Sequence, residues 1–249
     1  MKIKELINKA LFYISVPKCA SCNERLLIND RALCENCKKR YSELLEFNCS
    51  ICSKPYYECE CSNKYLKAHS VNKVYKVFRY FPGDEPPTNM LIYKLKRNNR
   101  KDILNFLKDE LHKSLINKNL NLNNTVITNV PRRRSSVRKY GFDHAELLAK
   151  SISKEIGVEY KKILVSRAKK DQKKSRDKDE RKKNAEFDYR KNSPDISGKN
   201  VIIIDDIITT GASIASCATL LRGLGAKKIT ALALAIAYND EYIPFKTQK

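Results

Sequence analysis

The sequence predicts an α/β protein in which helices flank a mostly parallel sheet, with a small cysteine-rich module in front of it. Three observations predict this class. Val201 to Ile204 are four consecutive β-branched residues, which is typical of a strand buried on both faces of a parallel sheet. Strand-like and helix-like segments alternate between residues 74 and 237, as they do where helices join parallel strands. Eight of the nine cysteines precede residue 62.

The first part of the sheet domain is predicted to form one strand and two helices. Residues 74–81 are rich in valine and aromatic residues with an alternating pattern, which favours a strand. Pro86 and Pro87 are expected to open a helix that runs through Leu95, because the first helical turn tolerates proline. Residues 102–115 place apolar side chains three or four positions apart, which predicts a second helix.

The second part alternates strands and helices more regularly. Short apolar runs predict strands, and apolar residues at helical spacing predict the helices between them. In chain order these are a strand over 125–130, a helix over 143–156, a strand over 158–165, a helix over 214–224 and a strand over 227–237.

Two carboxylates and a hydroxyl-rich turn follow the buried strand. Asp205 and Asp206 come at its carboxyl end, which is the edge where open α/β sheets bind ligands. Residues 209–213 follow and lead into a helix, so their backbone N–H groups are suited to bind a phosphate. Carboxylates beside a phosphate site indicate a ligand with both a sugar and a phosphate group.

Two other interpretations fit part of the pattern in this strand. A Walker B strand also ends in acidic residues, but it needs a Gly-x-x-x-x-Gly-Lys-Ser/Thr loop elsewhere. None of the seven glycines belongs to such a loop. A strand-end carboxylate pair that binds no ligand is the remaining alternative.

The chain is strongly basic. Lys plus Arg total 50 against 28 Asp plus Glu, which gives a formal charge of +22 and favours a polyanionic partner such as nucleic acid. Compositional drift is the alternative, since Lys, Asn and Ile abound while Gly and Trp are scarce. The sequence has no apolar run of eighteen residues, so no membrane span is expected. The first seventeen residues lack the features of a signal peptide, so we expect a helix there and a cytoplasmic protein.

The eight N-terminal cysteines form closely spaced pairs. In a reducing cytosol, repeated pairs of this kind indicate Zn²⁺ thiolate sites rather than disulfides, and four thiolates per tetrahedral ion use all eight. An interleaved pairing fits the spacing as well, and the Cys-x-Cys pair is the weakest. Few large apolar residues lie between the pairs, so structural zinc would supply stability of about 10–16 kcal/mol per site. We predict one ion on Cys19, Cys22, Cys34 and Cys37 and another on Cys49, Cys52, Cys59 and Cys61.

Two further segments carry clustered charge. Arg132, Arg133 and Arg138 follow the strand at 125–130 and are expected to bind a pyrophosphate, because guanidinium groups match phosphate oxygens. Asp143 is expected to cap the helix that follows. A solvated basic loop is the alternative. Residues 166–191 are almost all charged before Phe187, so we expect a mobile loop or, alternatively, a plain linker.

The segment from Val201 to Ser213 resembles the signature of type I phosphoribosyltransferases, which bind phosphoribosyl pyrophosphate (PRPP) with Mg²⁺. Over its whole length the chain resembles the ComF family of competence-associated phosphoribosyltransferase-like proteins. The family usually has Arg-Gly-Phe-Asn-Gln where this chain has Tyr140-Gly-Phe-Asp143-His144. That segment departs from the family pattern. The features that match it are Pro17-Lys18-Cys19, four cysteine pairs, Leu95-Lys96, Val130-Pro131, Gly141-Phe142, Arg167, Gln172, Arg181, Asn184 and Phe187.

The resemblance implies a type I phosphoribosyltransferase fold over residues 67–249, behind a helix and double zinc ribbon over residues 1–66. Asp205 and Asp206 would accept hydrogen bonds from the ribose hydroxyls, and residues 166–191 would form a hood over the ligand. The 5′-phosphate would be enclosed by Thr209, Thr210, Gly211, Ala212 and Ser213.

The resemblance also implies a function in the cytoplasm. ComF proteins take part in natural transformation, so the chain is expected to bind PRPP–Mg²⁺ and single-stranded DNA during DNA uptake. Its expected protein partner is a helicase of the ComF-operon type. The alternative is an active phosphoribosyltransferase that transfers the phosphoribosyl group from PRPP to an unidentified acceptor and releases pyrophosphate.

Overall fold

The computed structural model describes residues 17–28, 30–116, 118, 120, 122–167 and 187–237. Its strands are β1 (Val71–Arg79), β2 (Thr125–Asn129), β3 (Glu159–Tyr160), β4 (Leu164–Ser166), β5 (Phe187–Tyr189), β6 (Asn200–Ile208) and β7 (Lys228–Ile236). Five of them form a sheet in the order β1-β7-β6-β2-β3, and every pair in it is parallel. Strands β4 and β5 form a separate antiparallel ribbon.

Helices cover both faces of the sheet. They are α1 (Glu35–Leu45), α2 (Lys64–Ala68), α3 (Pro87–Arg97), α4 (Lys101–Ile116), α5 (Arg134–Tyr140), α6 (His144–Glu155) and α7 (Ala212–Gly223). Buried residues of α1, α3, α4 and α6 form one apolar core with the sheet. Those of α2 and α7 form a second core. The predicted α/β class, with a mostly parallel sheet flanked by helices, is confirmed.

Strand β6 contributes to both cores because successive strand residues point to opposite faces. Ile202 and Ile204 belong to the first core, whereas Val201 and Ile203 belong to the second. All four are buried. The run of β-branched residues therefore has the two-sided burial that its sequence predicts.

The cysteine-rich segment also divides between the two cores. Cys19 and Cys34 are buried in the first core, while Cys49 and Cys59 are buried in the second. The two halves of this segment thus pack against opposite faces of the sheet. The domain boundary at residues 66 and 67 stays a prediction.

Three predicted elements differ in the structure. Residues 158–165 do not form one strand, because the chain leaves the main sheet after Tyr160 and residues 164–166 pair with β5 instead. Part of the expected basic loop after β2 is the short helix α5. Strand β6 continues through the two carboxylates to Ile208, since it stays paired with β7 that far.

Several predictions lie outside the described residues. The helix expected in the first seventeen residues falls almost entirely on residues 1–16, and most of the expected hood falls on residues 168–186. Among the helices that the structure describes, none combines the length and apolar character needed to cross a membrane.

Candidate functional site

The two carboxylates of β6 lie in different surroundings. Asp206 is 5% exposed, and its carboxylate faces the side of the sheet covered by α3 and α6. There it contacts the Nζ of Lys96 at 3.0 Å and the Nε2 of His144. Asp205 is less enclosed and accepts a hydrogen bond from the backbone N of Asp206 at 2.9 Å.

These surroundings shift the two pKa values in opposite directions. Burial would raise the pKa of Asp206, but His144 and Lys96 outweigh it and lower that pKa to about 2. Burial and the neighbouring Asp206 charge raise the pKa of Asp205 well above its ordinary value. The pair therefore concentrates its negative charge on Asp206.

His144 and Lys96 were not predicted as partners of Asp206. Lys96 belongs to a segment that contributes to the family resemblance, and His144 stands where the family usually has glutamine. No local pattern connects residues 96 and 144 with residue 206. Both are brought to Asp206 by helices on one face of the sheet. The Nδ1 of His144 is buried and has no hydrogen-bond partner among the described residues.

The turn after β6 has a backbone that requires glycine. Gly211 has a φ of +83°, and a Cβ at this position would lie 2.7 Å from the Cγ of Leu66. Helix α7 starts at the next residue with no side-chain cap from Gly211. The Oγ1 of Thr210 accepts a hydrogen bond from the Ala212 N at 3.3 Å. A helix start with no N-cap side-chain bond, in a close-approach turn, is an arrangement that suits a phosphate.

The structure separates the three arginines that were predicted to bind pyrophosphate. The guanidinium of Arg132 donates to the carbonyl oxygens of Phe142 at 3.2 Å and Lys96 at 3.0 Å, and it lies over the ring of Tyr140 at 4.7 Å. Arg132 thereby ties the start of the basic segment to α3. Arg133 and Arg138 are exposed to solvent. The pyrophosphate role of all three arginines stays a prediction.

Asp143 has the capping role that the sequence predicts. Its Oδ1 accepts from the backbone N of Ala145 at 3.0 Å and of Glu146 at 3.1 Å. Its Oδ2 also accepts from the backbone N of Arg132 at 2.9 Å. The same carboxylate therefore starts α6, which carries His144, and fixes the entry to the basic segment.

The eight cysteines form two clusters, grouped in sequence order rather than interleaved. Within each set the four sulfur atoms lie within 4.8 Å of one another. The Cys19 Sγ accepts from the backbone N of Cys34, and the Cys59 Sγ from that of Cys61, each at 3.3 Å. The clusters are Cys19, Cys22, Cys34 and Cys37, and Cys49, Cys52, Cys59 and Cys61.

The donor chemistry of these clusters fits a thiophilic ion. Four sulfur ligands at one point are the set that structural Zn²⁺ takes. At the second cluster the ammonium of Lys76, whose side chain is fully buried, needs a negative neighbour. Burial would raise the pKa of Cys59, but Lys76 and hydrogen bonds lower it to about 7, so this sulfur is poised as a thiolate. Both clusters are able to bind metal.

Comparison with known proteins agrees with the fold. A family model described as the phosphoribosyl transferase domain matches residues 143–245. Competence protein F of Haemophilus influenzae is 25% identical over 229 residues, which are 88% of this chain and 97% of that protein. The chain is a competence protein F homologue with a type I phosphoribosyltransferase domain. The ComF resemblance inferred from the sequence is confirmed.

Other similarities are local or concern the fold alone. A ribose-phosphate pyrophosphokinase of Thermococcus kodakarensis is 63% identical over 35 residues, or 14% of this chain. The chain spans only 12% of that enzyme's length. An adenine phosphoribosyltransferase of known structure from Thermoanaerobacter pseudethanolicus is 16% identical in sequence to this chain. The matched region covers 59% of this chain and 84% of that enzyme's chain, with a TM-score of 0.36.

Proposed function

We propose that this competence protein F homologue binds PRPP with Mg²⁺ at the carboxyl end of β6 and binds single-stranded DNA beside it, as a ComF-type cytoplasmic protein of DNA uptake. One observation supports this more than any other. An acid pair with Asp206 buried, a glycine in the left-handed conformation and a helix start with no N-cap side-chain bond follow one another within residues 205–213.

Each group in this stretch has a role with such a ligand. Asp206, held ionised by Lys96 and His144, accepts a hydrogen bond from a ribose hydroxyl, and Asp205 offers a second contact. The backbone N–H groups and hydroxyls of residues 209–213 surround the 5′-phosphate. Bound Mg²⁺ would supply positive charge to the pyrophosphate group. Arg133 and Arg138 are the nearby exposed cations that would add to it.

Calorimetry with PRPP in a magnesium buffer tests this proposal. We expect wild type to bind, and Asp206→Asn to lose at least tenfold in affinity because the ionised acceptor is gone. Asp195→Asn is the matched control, since Asp195 is exposed and its contact to the backbone N of Ser197 can be kept by an amide oxygen. Absence of binding by wild type, or equal affinities for the two variants, would refute the proposed site.

The proposed DNA contact uses the exposed basic side chains around α5. Arg133, Arg134, Arg138 and Lys139 are exposed, and within the part of the chain that the structure describes none of them forms an ion pair. They follow the carboxyl end of β2, which neighbours β6 in the sheet. Cations without carboxylate partners at this edge are available for a phosphate backbone.

Salt dependence provides the test of DNA binding. Each phosphate contact to a single strand contributes a slope of about −0.7 in a plot of log affinity against log salt. Replacing Arg133, Arg134 and Arg138 by Gln should therefore reduce the slope by about 2. Replacing Arg25, Arg31 and Arg40, which are exposed in the cysteine-rich segment, serves as the charge-matched control. An unchanged slope in the α5 variant would contradict this assignment.

A second candidate function is phosphoribosyl transfer. The observation that favours it is the His144–Asp206 pair, because a carboxylate-bound imidazole is a common acid–base group. In this reaction an acceptor atom bonds to the anomeric carbon of PRPP as the bond to pyrophosphate breaks. Pyrophosphate release that needs an added acceptor and is lost in His144→Ala would support it. Binding of PRPP without release, across nucleobases, ammonia and DNA as acceptors, would leave binding alone.

A further inference from the structure

The proposed phosphate-binding turn is contacted by the segment that follows the second cysteine cluster. Asn63 lies two residues after Cys61, and its Nδ2 donates to the carbonyl oxygen of Thr210 at 3.3 Å. Leu66 is fully buried and packs so closely against Gly211 that no Cβ fits between them. One side of this turn is therefore formed by residues from the N-terminal third of the chain.

The same segment is also fixed to the edge strand β1. The Ser62 Oγ donates to the Val71 carbonyl at 2.7 Å, and the Lys76 Nζ donates to the Cys61 carbonyl at 2.9 Å. The backbone N of Val74 donates to the carbonyl of Glu60 at 3.2 Å. Residues 60–62 are thus held between the second cluster and β1, and they determine where α2 begins.

Asn63 links the start of α2 to the turn. Its Oδ1 accepts from the backbone N of Leu66 at 2.7 Å and so caps the helix, while its Nδ2 bonds Thr210. An amide suits both tasks because it carries an acceptor and a donor. A displacement of residues 59–61 would therefore reach the turn through this one side chain and through Leu66.

We propose that Asn63 and Leu66 are positioning residues through which the second metal centre shapes the sugar-phosphate site, so that metal at this cluster and PRPP binding favour each other. This inference rests on the proposed PRPP site. Its physical basis is that metal ligation orders Cys59 and Cys61, which in turn fixes the segment that supports the turn. A coupling of this kind is reciprocal and is typically about 5- to 150-fold in affinity.

The first cluster provides an internal comparison. Its buried members pack in the core on the opposite face of the sheet, with α1, α3 and α4. The cores that contain the two clusters are separate. Loss of metal from the first cluster should therefore leave the turn at residues 209–213 in place.

Asn63→Asp tests the positioning role in the full-length metal-bound protein. Asp retains the oxygen that caps α2 but cannot donate to the Thr210 carbonyl, so we expect PRPP to bind about tenfold more weakly while two metal ions remain bound. Asn72→Asp is the control, because it makes the same chemical change at an exposed position on β1. Equal PRPP affinities for the two variants, with metal retained, would overturn the positioning role of Asn63.

Paired cysteine variants test the metal linkage. Cys52→Ser and Cys22→Ser should each reduce bound zinc from two ions to one. We expect amide hydrogen exchange at residues 209–213 to accelerate at least fivefold in Cys52→Ser and to stay at the wild-type rate in Cys22→Ser. Equal exchange rates in the two variants would refute the linkage. Hydrogen exchange needs no ligand, so failure of wild type to bind PRPP would refute the proposed function without deciding this test. If Cys52→Ser does not fold, Asn63→Asp still tests whether this segment positions the turn.

Discussion

Replacing Gly211 by alanine is expected to destabilise the protein for two separate reasons. The first is conformational, because the φ of +83° is unfavourable for a residue with a Cβ by about 1–2 kcal/mol. The second is steric, because the new Cβ would lie 2.7 Å from the Leu66 Cγ and 2.9 Å from its Cδ2. Inserting a methyl group into a packed core costs about 1–3 kcal/mol. The sum is a loss of about 2–5 kcal/mol in the free energy of unfolding.

Gly83 offers a control that isolates the steric part. Its φ is +87°, and a Cβ built there meets nothing within 4 Å. Gly83→Ala should therefore show only the conformational cost of about 1–2 kcal/mol. The difference between the two variants, about 1–3 kcal/mol, measures the contact between Gly211 and Leu66.

Urea unfolding followed by circular dichroism in a zinc-containing buffer provides the measurement, with the m value checked for constancy. Leu66→Ala alone should cost about 2–5 kcal/mol because Leu66 is fully buried. Combined with Gly211→Ala it should cost less than the sum of the two single changes, since the clash is removed. If the Gly211 and Gly83 variants differ by less than about 0.5 kcal/mol, or if the double variant is additive, the packing argument is wrong.

Four further predictions concern Asp205, Asp206, the contacts of Arg132 and the metal centres. Asp205→Asn should raise the melting temperature at pH 7, because the raised pKa of Asp205 means that folding disfavours its charged form. This gain in melting temperature should vanish as the pH falls to about 4, where the carboxyl is protonated in the unfolded chain as well. Asp206→Asn should instead destabilise by about 3 kcal/mol at pH 7, since it leaves His144 and Lys96 without their carboxylate. Arg132→Lys should cost about 1–3 kcal/mol in urea unfolding, because a single ammonium cannot reproduce two carbonyl bonds and the stacking on Tyr140. Mass spectrometry under native conditions should find two zinc ions per chain, and a chelator should lower the melting temperature; one ion or none would contradict the double site.

The features that the sequence predicts well are those written in short, contiguous patterns. Val201 to Ile204 indicate a buried parallel strand, because a run of four β-branched residues suits a strand that is covered on both faces of the sheet. In the structure this strand lies between two parallel neighbours. The cysteine pairs predict two metal clusters because ligand spacing of two or three residues is itself a geometric constraint. Asp143 predicts a helix start because its capping bonds reach only two and three residues along the chain.

The contacts that complete the candidate site come from residues far apart in the chain, so no local pattern predicts them. Lys96 reaches Asp206 only because α3 packs on the same face of the sheet as α6, which carries His144. The Leu66–Gly211 contact likewise depends on α2 and α7 sharing the opposite face. The two faces therefore act on different parts of the site: one sets the charge of the acid pair, and the other sets the shape of the turn. It follows that variants of His144 should change the pH dependence of PRPP binding, whereas variants of Leu66 should change its affinity equally at every pH.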